Sequence, residues 1–382
     1  MALFTAGSGL LASITGFHDD SPITREVFGN IPGSIKVAFY TVISVLLVYG
    51  SVMFANRVKN WSRGTPDNRA TTTQNAKKRF SDFRTGVYMQ TLLREPAAGI
   101  MHSLIYFSFL ILLAVTTVLE INHQIPNSIK FLHGDTYRAY TAVGDIAGVL
   151  FLIGVVWALV RRYGPRRFRP YRIRIKSKPE HAAILIVFLT IGVTGFVSEA
   201  FRIALLDAGN RSSETWSVVG YPMAKIIDKI DSLKTHAHGW HQAWWIAHIL
   251  SFAAFLVLLP ISMLRHMFTS PLNMYLRDKN RPKGAMKPLP NLLETELESF
   301  GASTIEDFTW KQLLDLDSCT MCGRCTSVCP AHATGKSLDP REIVLKTGEV
   351  MAATGTPEVS PPIGVDTEKD YIEIKKLMEY KK

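Results

Sequence analysis

Cysteine is nearly absent: the 382 residues contain four, all between Cys319 and Cys329. With none elsewhere, a disulfide framework is excluded as the basis of the fold, and only one cysteine-built site is available. Acidic residues also run short, 32 against 43 basic ones, leaving a formal net charge of +11. That excess fits nucleic acid, a membrane surface or a difference between loops, and by itself does not choose among them. No internal repeat and no low-complexity tract is present. Met1–Phe17 is weakly apolar and lacks a basic leader, so no signal peptide is predicted.

The most telling shortage is of charge inside long apolar runs. Hydrophobic residues make up 47% of the chain and are blocked together instead of alternating with polar ones. About 20 residues are needed to cross the hydrocarbon as a helix. Val37–Ala55, Ala97–Leu119, Tyr140–Val160, Ala182–Leu206 and His241–Leu264 meet that requirement, the third interrupted by Asp145 and the fourth by Glu199 and Arg202 near its end. An all-α membrane protein with five transmembrane helices is expected. Loop bases set its orientation. Nine lie in Arg57–Arg94 and nine in Arg161–Lys178, whereas Ile121–Arg138 and Asp207–Trp240 mix few bases with acids. Trp240, Trp244 and Trp245 stand where an outer aromatic belt falls. The expected topology is multi-pass in the cytoplasmic membrane, N-terminus outside and C-terminus inside. Much of the charge is then topology, and no nucleic-acid partner is expected.

Cys319-Thr-Met-Cys322-Gly-Arg-Cys325-Thr-Ser-Val-Cys329-Pro330 has C-x2-C-x2-C-x3-C-P spacing, the bacterial ferredoxin run. Thiolates two residues apart on a tight loop, eased by Gly323, take corners of an iron–sulfur cube, so a [4Fe-4S] site facing the cytoplasm is predicted. Zinc, the competing metal, usually takes two separated C-x2-C pairs or mixed Cys/His pairs. In two-cluster ferredoxins the fourth cysteine of a run serves the other cluster. Three readings of Cys329 follow: it completes its own cube, a cysteine of another polypeptide does, or the chain is part of a longer reductase.

Composition divides the chain into an outer segment 1–35, a five-helix domain 36–266, a Pro/Lys/Arg-rich linker 267–290 and a small α-helical ferredoxin-like domain 291–382. Asn291–Leu316 reads as two amphipathic helices, the second capped near Ser303 or Thr304. Ser337–Met351 reads as another helix, Gly355–Pro362 as an extended loop and Lys369–Lys382 as a short charged helix.

Histidines at the ends of the apolar runs form a second constellation. His248 and His266 are eighteen residues apart, five turns of an unbroken helix, which puts them on one face roughly 27 Å apart. His102 and His123, on the second helix, are twenty-one residues apart, roughly 31 Å and rotated by about 60°. The two helices run in opposite directions, so His102 meets the level of His266 and His123 that of His248. Four imidazoles in two layers suit two b haems held by histidine pairs, each with both axial positions filled and so devoted to electron transfer. An ionisable side chain within an apolar run is a functional candidate by default. For the outer layer His133 competes with His123, with His241 and His238 behind it. His181 reads as structural and His332 as surface.

Glu120, Asp145, Glu199 and Arg202 fall toward the outer ends of their helices. In one reading Glu199 and Arg202, one turn apart, pair and anchor the helix end. In the other, Glu120, Asp145 and Glu199 line a quinone pocket near the outer haem and exchange the protons of quinone chemistry.

These residues resemble a known family. The local marks are Gly99-Ile-Met-His102-Ser-Leu-Ile-Tyr, Thr194-Gly195-Phe196-Val197-Ser198-Glu199-Ala200-Phe201-Arg202-Ile203, Trp245-Ile-Ala-His248, Arg265-His266-Met-Phe-Thr-Ser-Pro-Leu-Asn273, and the cysteine run with Pro330-Ala331. The five-helix part resembles the gamma-subunit cytochrome b of respiratory nitrate reductase. The chain as a whole is more similar to membrane-bound iron–sulfur reductases related to heterodisulfide reductase, which fuse that cytochrome b bundle to a ferredoxin-like domain. The resemblance implies that His102, His248 and His266 hold haem, and that electrons pass between a membrane quinone and a cytosolic redox partner. Some actinobacterial members resemble the membrane acceptor of electron-transferring flavoprotein, passing electrons to menaquinone; others resemble heterodisulfide reductase subunits. Larger members carry a second cysteine run and further cysteine-rich domains, which are not found here. A membrane anchor that recruits a soluble heterodisulfide reductase-like enzyme is the alternative. A transporter lacks the paired broken helices it needs and leaves the cysteine run unexplained.

Overall fold

The computed structural model describes residues 27–67, 73–165, 178–206, 211–277, 291, 293–296 and 301–354. Met1–Phe17, most of the second basic loop, the end of the linker, the loop Gly355–Pro362 and the helix Lys369–Lys382 lie outside the described residues. In chain order the helices are α1 (Gly33–Trp61), α2 (Thr73–Val87), α3 (Pro96–Gln124), α4 (Gly134–Tyr163), α5 (Pro179–Ala204), α6 (Gly220–Asp228), α7 (Asp231–Thr235), α8 (Ala237–Ile261), α9 (His266–Tyr275), α10 (Trp310–Asp317), α11 (Arg324–Ser327), α12 (Pro330–Ala333) and α13 (Pro340–Ala353). Among the described residues there is no strand, only one parallel bridge between Thr65 and Thr309.

Helices α1, α3, α4, α5 and α8, of 29, 29, 30, 26 and 25 residues, are long and apolar enough to cross a membrane. At about 1.5 Å per residue each exceeds the ~30 Å hydrocarbon thickness. Many of their apolar side chains are uncovered; Val37 is 67% exposed and Leu250 65%. Lipid accommodates such a surface and water does not. The chain is therefore an all-α membrane protein, as expected.

Two compact units are present: Met1–Ser44 with Ala97–Val160 and Leu185–Phe255, and Val45–Pro96 with Arg161–Ile184 and Leu256–Lys382. In the first, helices approach at small residues, as membrane helices do. A Cβ on Gly154 of α4 would meet Ile105 Cγ1 of α3 at 2.8 Å, and one on Gly148 would meet Phe196 Cζ of α5 at 2.6 Å. Phe109, Phe188 and Phe255, from α3, α5 and α8, pack with ring centroids 5.5 to 6.1 Å apart. Ala200, Phe201, Ile227 and Ala237 seat α6 against α5 and the start of α8.

The second unit is organised around α10. Thr309 and Gln312 form a capping box at its start. Leu313 and Leu314 pack with Trp61, Ile305 and Met351. A Cβ on Gly64 would lie 2.4 Å from Trp310 N, so glycine alone lets the chain leaving α1 run close enough for Thr65 to pair with Thr309. At the far end of α10 the buried Asp317 carboxylate accepts from Arg57 Nη1 at 2.9 Å and Trp61 Nε1 at 2.7 Å, with Arg265 Nε at 3.4 Å. Arg57, counted by sequence among the loop bases, is thus a buried ion-pair partner.

Three expectations need correction. The fifth span does not continue to Leu264. Arg57 Nε takes the Pro260 carbonyl at 3.1 Å, Glu180 takes the Met263 N–H, and Ser262 Oγ takes the Leu264 N–H at 3.1 Å. The groups that would prolong the α-helix thus have other partners, and a 3-10 turn, Met263–Arg265, leads into α9. The eighteen-residue register between His248 and His266 is consequently not that of one helix. Second, the linker expected from residue 267 begins as helix α9. Third, the second helix expected in Asn291–Leu316 is capped by Thr309, while Thr304 caps only the 3-10 turn Ile305–Asp307; the first falls largely outside the described residues. Asp307 Oδ2 closes that turn on the Ser303 and Thr304 N–H groups at 2.8 and 2.7 Å. The helix expected over Ser337–Met351 is α13, capped by Asp339 on the Arg341 N–H at 2.9 Å.

Asp317→Ala leaves the Arg57 guanidinium buried without its carboxylate, a change that costs about 3–5 kcal/mol at buried pairs. Thermal unfolding of the purified chain in detergent is expected to show the second unit melting well below wild type, while Lys336→Ala, at an exposed side chain, shifts it little.

Candidate functional site

The cysteine loop is shaped by its backbone. Met321 at φ 55° and Gly323 at φ 75° are both left-handed, so the chain wraps around Cys322. Gly323 does this without steric penalty, whereas Met321 costs about 1–2 kcal/mol. Strain of this kind persists at functional sites because surrounding structure enforces it. Cys325 lies on α11, and Cys329 caps α12 with Pro330 at its first position. All four thiols are free, Cys322 and Cys325 exposed, Cys319 and Cys329 half-buried. Burial pushes the Cys319 thiol up, while the Met321 N–H on its sulfur and the Arg265 charge oppose that.

Contacts outside the loop hold it in place. Thr326 Oγ1 donates to Asp339 Oδ1 at 2.5 Å, Arg324 Nη2 donates to Leu92 O at 3.2 Å, and Asp317 is two residues before Cys319. Among the described residues no three or more His, Cys, Asp or Glu side chains gather about one ion position. A cube takes each thiolate at its own iron, so these need only border a common volume. Four free thiols on a left-handed loop, one with an N–H aimed at its sulfur, fit a [4Fe-4S] cluster.

The histidines differ in tautomer, which their partners assign. His248 Nδ1 lies 3.1 Å from Ile191 O, an acceptor only, and 3.1 Å from Thr194 Oγ1. Nδ1 therefore carries the proton and Nε2 the lone pair. Gly195 makes room for this ring, since a Cβ there would sit 3.3 Å from His248 Cε1. His266 Nδ1 likewise faces Met263 O at 2.7 Å, and burial lowers its pKa, favouring neutral imidazole. Imidazoles that bind metal are commonly oriented by such a hydrogen bond from the other nitrogen. These two side chains fit haem ligation, with Nε2 as the atom that would hold the group. His181 has the opposite arrangement: its Nδ1 accepts the Lys178 N–H at 2.9 Å, leaving the proton on Nε2, which is buried without a hydrogen-bond partner among the described residues. His238 Nδ1 similarly faces the Gln242 amide at 3.3 Å. His102 stacks on Tyr106 with centroids 6.4 Å apart, and His123 meets Phe28 edge-on at 5.5 Å. His133 precedes α4, His241 is buried on α8, and His332 is half-buried on α12.

The carboxylates separate by environment. Asp145 is 3% exposed, and its Oδ2 accepts from Ser217 Oγ (2.9 Å), Val219 N (2.7 Å) and Gly220 N (3.3 Å). It caps the start of α6 from α4. Glu199 pairs with Arg202 at 3.5 Å, but the shorter partner of Arg202 is Glu214 at 2.8 Å, to which Tyr137 also donates at 2.9 Å. Sequence reasoning missed Glu214 and Tyr137; the available signal was an arginine too deeply buried for one neighbouring carboxylate. Glu120 instead accepts from Tyr40 Oη at 2.8 Å and Gln124 Nε2 at 2.6 Å.

Fold and site together define an α-helical membrane protein with a [4Fe-4S]-binding domain. Residues 310–331, which include all four cysteines, match the family model of the 4Fe-4S binding domain. The chain is similar to EtfAB:quinone oxidoreductase of Syntrophomonas wolfei, 33% identical over 342 residues, which are 86% of this chain and 45% of that protein. It is also similar to the probable iron-sulfur-binding oxidoreductase FadF of Bacillus subtilis, 30% identical over 284 residues, 74% of this chain and 38% of that one. A probable membrane-anchored ferredoxin of Chromohalobacter salexigens is 40% identical over 70 residues, 17% of this chain and 10% of that one. No solved structure matches the chain. The chain matches the iron–sulfur reductase family represented by these relatives, and it spans less than half the length of the first two.

Cys322→Ser is expected to remove the cluster's electron paramagnetic resonance signal and its iron and sulfide from the purified chain, while Ser327→Ala on the same loop leaves both unchanged. Iron counting on Cys329→Ser then reads the fourth ligand: loss of the cluster means that Cys329 completes its own cube, retention that the ligand comes from elsewhere.

Proposed function

We propose that this chain is the membrane part of an iron–sulfur oxidoreductase, relaying electrons between a quinone in the bilayer and a soluble redox partner. The quinone is menaquinone and the partner electron-transferring flavoprotein or a heterodisulfide reductase-like subunit, in keeping with the resemblance and with the relative named EtfAB:quinone oxidoreductase. Cys319, Cys322, Cys325 and Cys329 hold the [4Fe-4S] cluster, and His102, His123, His248 and His266 hold two b haems. Haem held by these histidines would supply one-electron transfer. The observation that carries the reading is the tautomer of His248 and His266, each with Nδ1–H on a backbone carbonyl. The distribution of loop bases supports an iron–sulfur domain on the cytoplasmic side. A membrane anchor with no haem is the competing reading, and it leaves the orientation of those two imidazoles without a purpose.

Pyridine haemochrome measurement on the purified chain is expected to give about two b haems per chain, and His248→Ala and His266→Ala to lower that number. A ratio of zero favours the anchor and ends the haem relay; a ratio near one removes His123 from the ligand set.

A further inference from the structure

Resting on the quinone reading above, we propose that Tyr40, Glu120 and Gln124 form the binding site for a quinone headgroup, with Glu120 as its proton-exchanging group. Of the three candidate carboxylates, Asp145 is committed to capping α6 through three hydrogen bonds on one oxygen. Glu199 lies against Arg202, within the Arg202–Glu214–Tyr137 network. Moving a proton at either one breaks a cap or an ion pair.

Glu120 has different company. Tyr40 Oη and Gln124 Nε2 are its partners, neutral groups that lie 3.2 Å from each other, and among the described residues no cation pairs with it. A carboxyl so placed exchanges a proton without losing an ion pair, and an ionisable side chain within a candidate span is a functional candidate. The trio also lies on the uncovered surface of α1 and α3: Tyr40 is 36% exposed, and Ile121, beside Glu120, is 50% exposed. A ligand that diffuses within the bilayer reaches such a surface from the side.

The surroundings suit a flat aromatic ring with two carbonyl oxygens. Phe28, Phe39 and Trp245 pack on one another with centroids 5.7 to 5.8 Å apart, and Tyr40 meets Phe39 at 5.1 Å and Phe28 at 5.8 Å. These rings offer a stacking wall. Phe28 is held there in a left-handed conformation, φ 61°, while the neighbouring Asn30 carbonyl accepts from Gln242 Nε2 at 2.9 Å. Tyr40 and Gln124 carry donors for the quinone oxygens. His123 packs on Phe28 at 5.5 Å and lies one turn from Glu120 on the same helix face, which keeps the proton group beside a proposed haem ligand. Reduction of the quinone to the quinol takes two electrons and two protons, one proton bound to each oxygen. The electrons come from the b-haem relay proposed above, and both protons come from water, one of them through Glu120.

The test uses the full chain in lipid nanodiscs. Photolysis with an azidonaphthoquinone is expected to label peptides containing Tyr40 and Glu120, and Tyr40→Phe with Gln124→Leu to reduce that labelling. Haem reduction by menadiol in stopped flow is expected to slow at least tenfold in Glu120→Gln, while the dithionite-reduced haem spectrum stays at wild-type intensity. Labelling confined to peptides elsewhere, or wild-type menadiol rates in both Glu120→Gln and Tyr40→Phe, overturns the site and leaves the relay standing. A chain without haem that is still labelled at Tyr40 and Glu120 overturns the relay and keeps the site. If Glu120→Gln loses its haem through misfolding, labelling of the Tyr40→Phe and Gln124→Leu chains decides: unchanged labelling overturns the proposal.

Discussion

The second unit depends on one buried carboxylate. Asp317, 5% exposed, takes hydrogen bonds from Arg57 and Trp61 near the end of α1 and stands beside Arg265 before α9. Removing those charges from water carries a penalty that only good geometry and several donors offset. Asp317 has both. It also ends α10 two residues before Cys319, so the group that ties down the end of a membrane helix positions the start of the cysteine loop. Thr269 Oγ1 on the Asp317 carbonyl at 3.4 Å and Ser318 Oγ on the Thr269 carbonyl at 3.2 Å add α9 to the same assembly.

Arg57 has a second effect. Its Nε holds the Pro260 carbonyl that would otherwise accept the Leu264 N–H in an uninterrupted helix. With that bond unavailable, the chain turns at Ser262 and restarts as α9 at His266. The histidine then meets the carbonyl of Met263 in the intervening turn, and this contact sets its tautomer. Helix break and imidazole orientation share one cause.

Polar groups in the first unit fall into two kinds. Some that are buried meet partners beyond their own helix: Asp145 the start of α6, and Arg202 Nη1 the Glu214 carboxylate, to which Tyr137 also donates. Leaving any of them unpaired in so apolar a setting would be costly. Glu120 belongs to the other kind, on an uncovered surface and, among the described residues, partnered by the neutral donors Tyr40 and Gln124.

Much of this was legible from residue order, because it depends on local chemistry and on solvent. Five long apolar runs require a membrane whatever their neighbours, and C-x2-C-x2-C-x3-C-P spacing brings thiols onto one loop without help from distant residues. The pairing of Glu199 with Arg202 follows from helical spacing alone. What residue order did not decide concerns groups joined across long separations. Arg57 reads as one more loop base until Asp317, 260 positions later, is seen against it. The break before His266 is invisible in an apolar run because its causes, Arg57 and Glu180, come from other helices. The second helix, expected from near Thr304, starts only at Trp310, because Trp310 N donates to Thr65 O at 3.1 Å and Phe308 O accepts from Thr65 N at 2.8 Å. Periodicity reports which residues avoid water; tertiary structure alone decides which buried donor meets which acceptor, because that is fixed by distances in space and not along the chain.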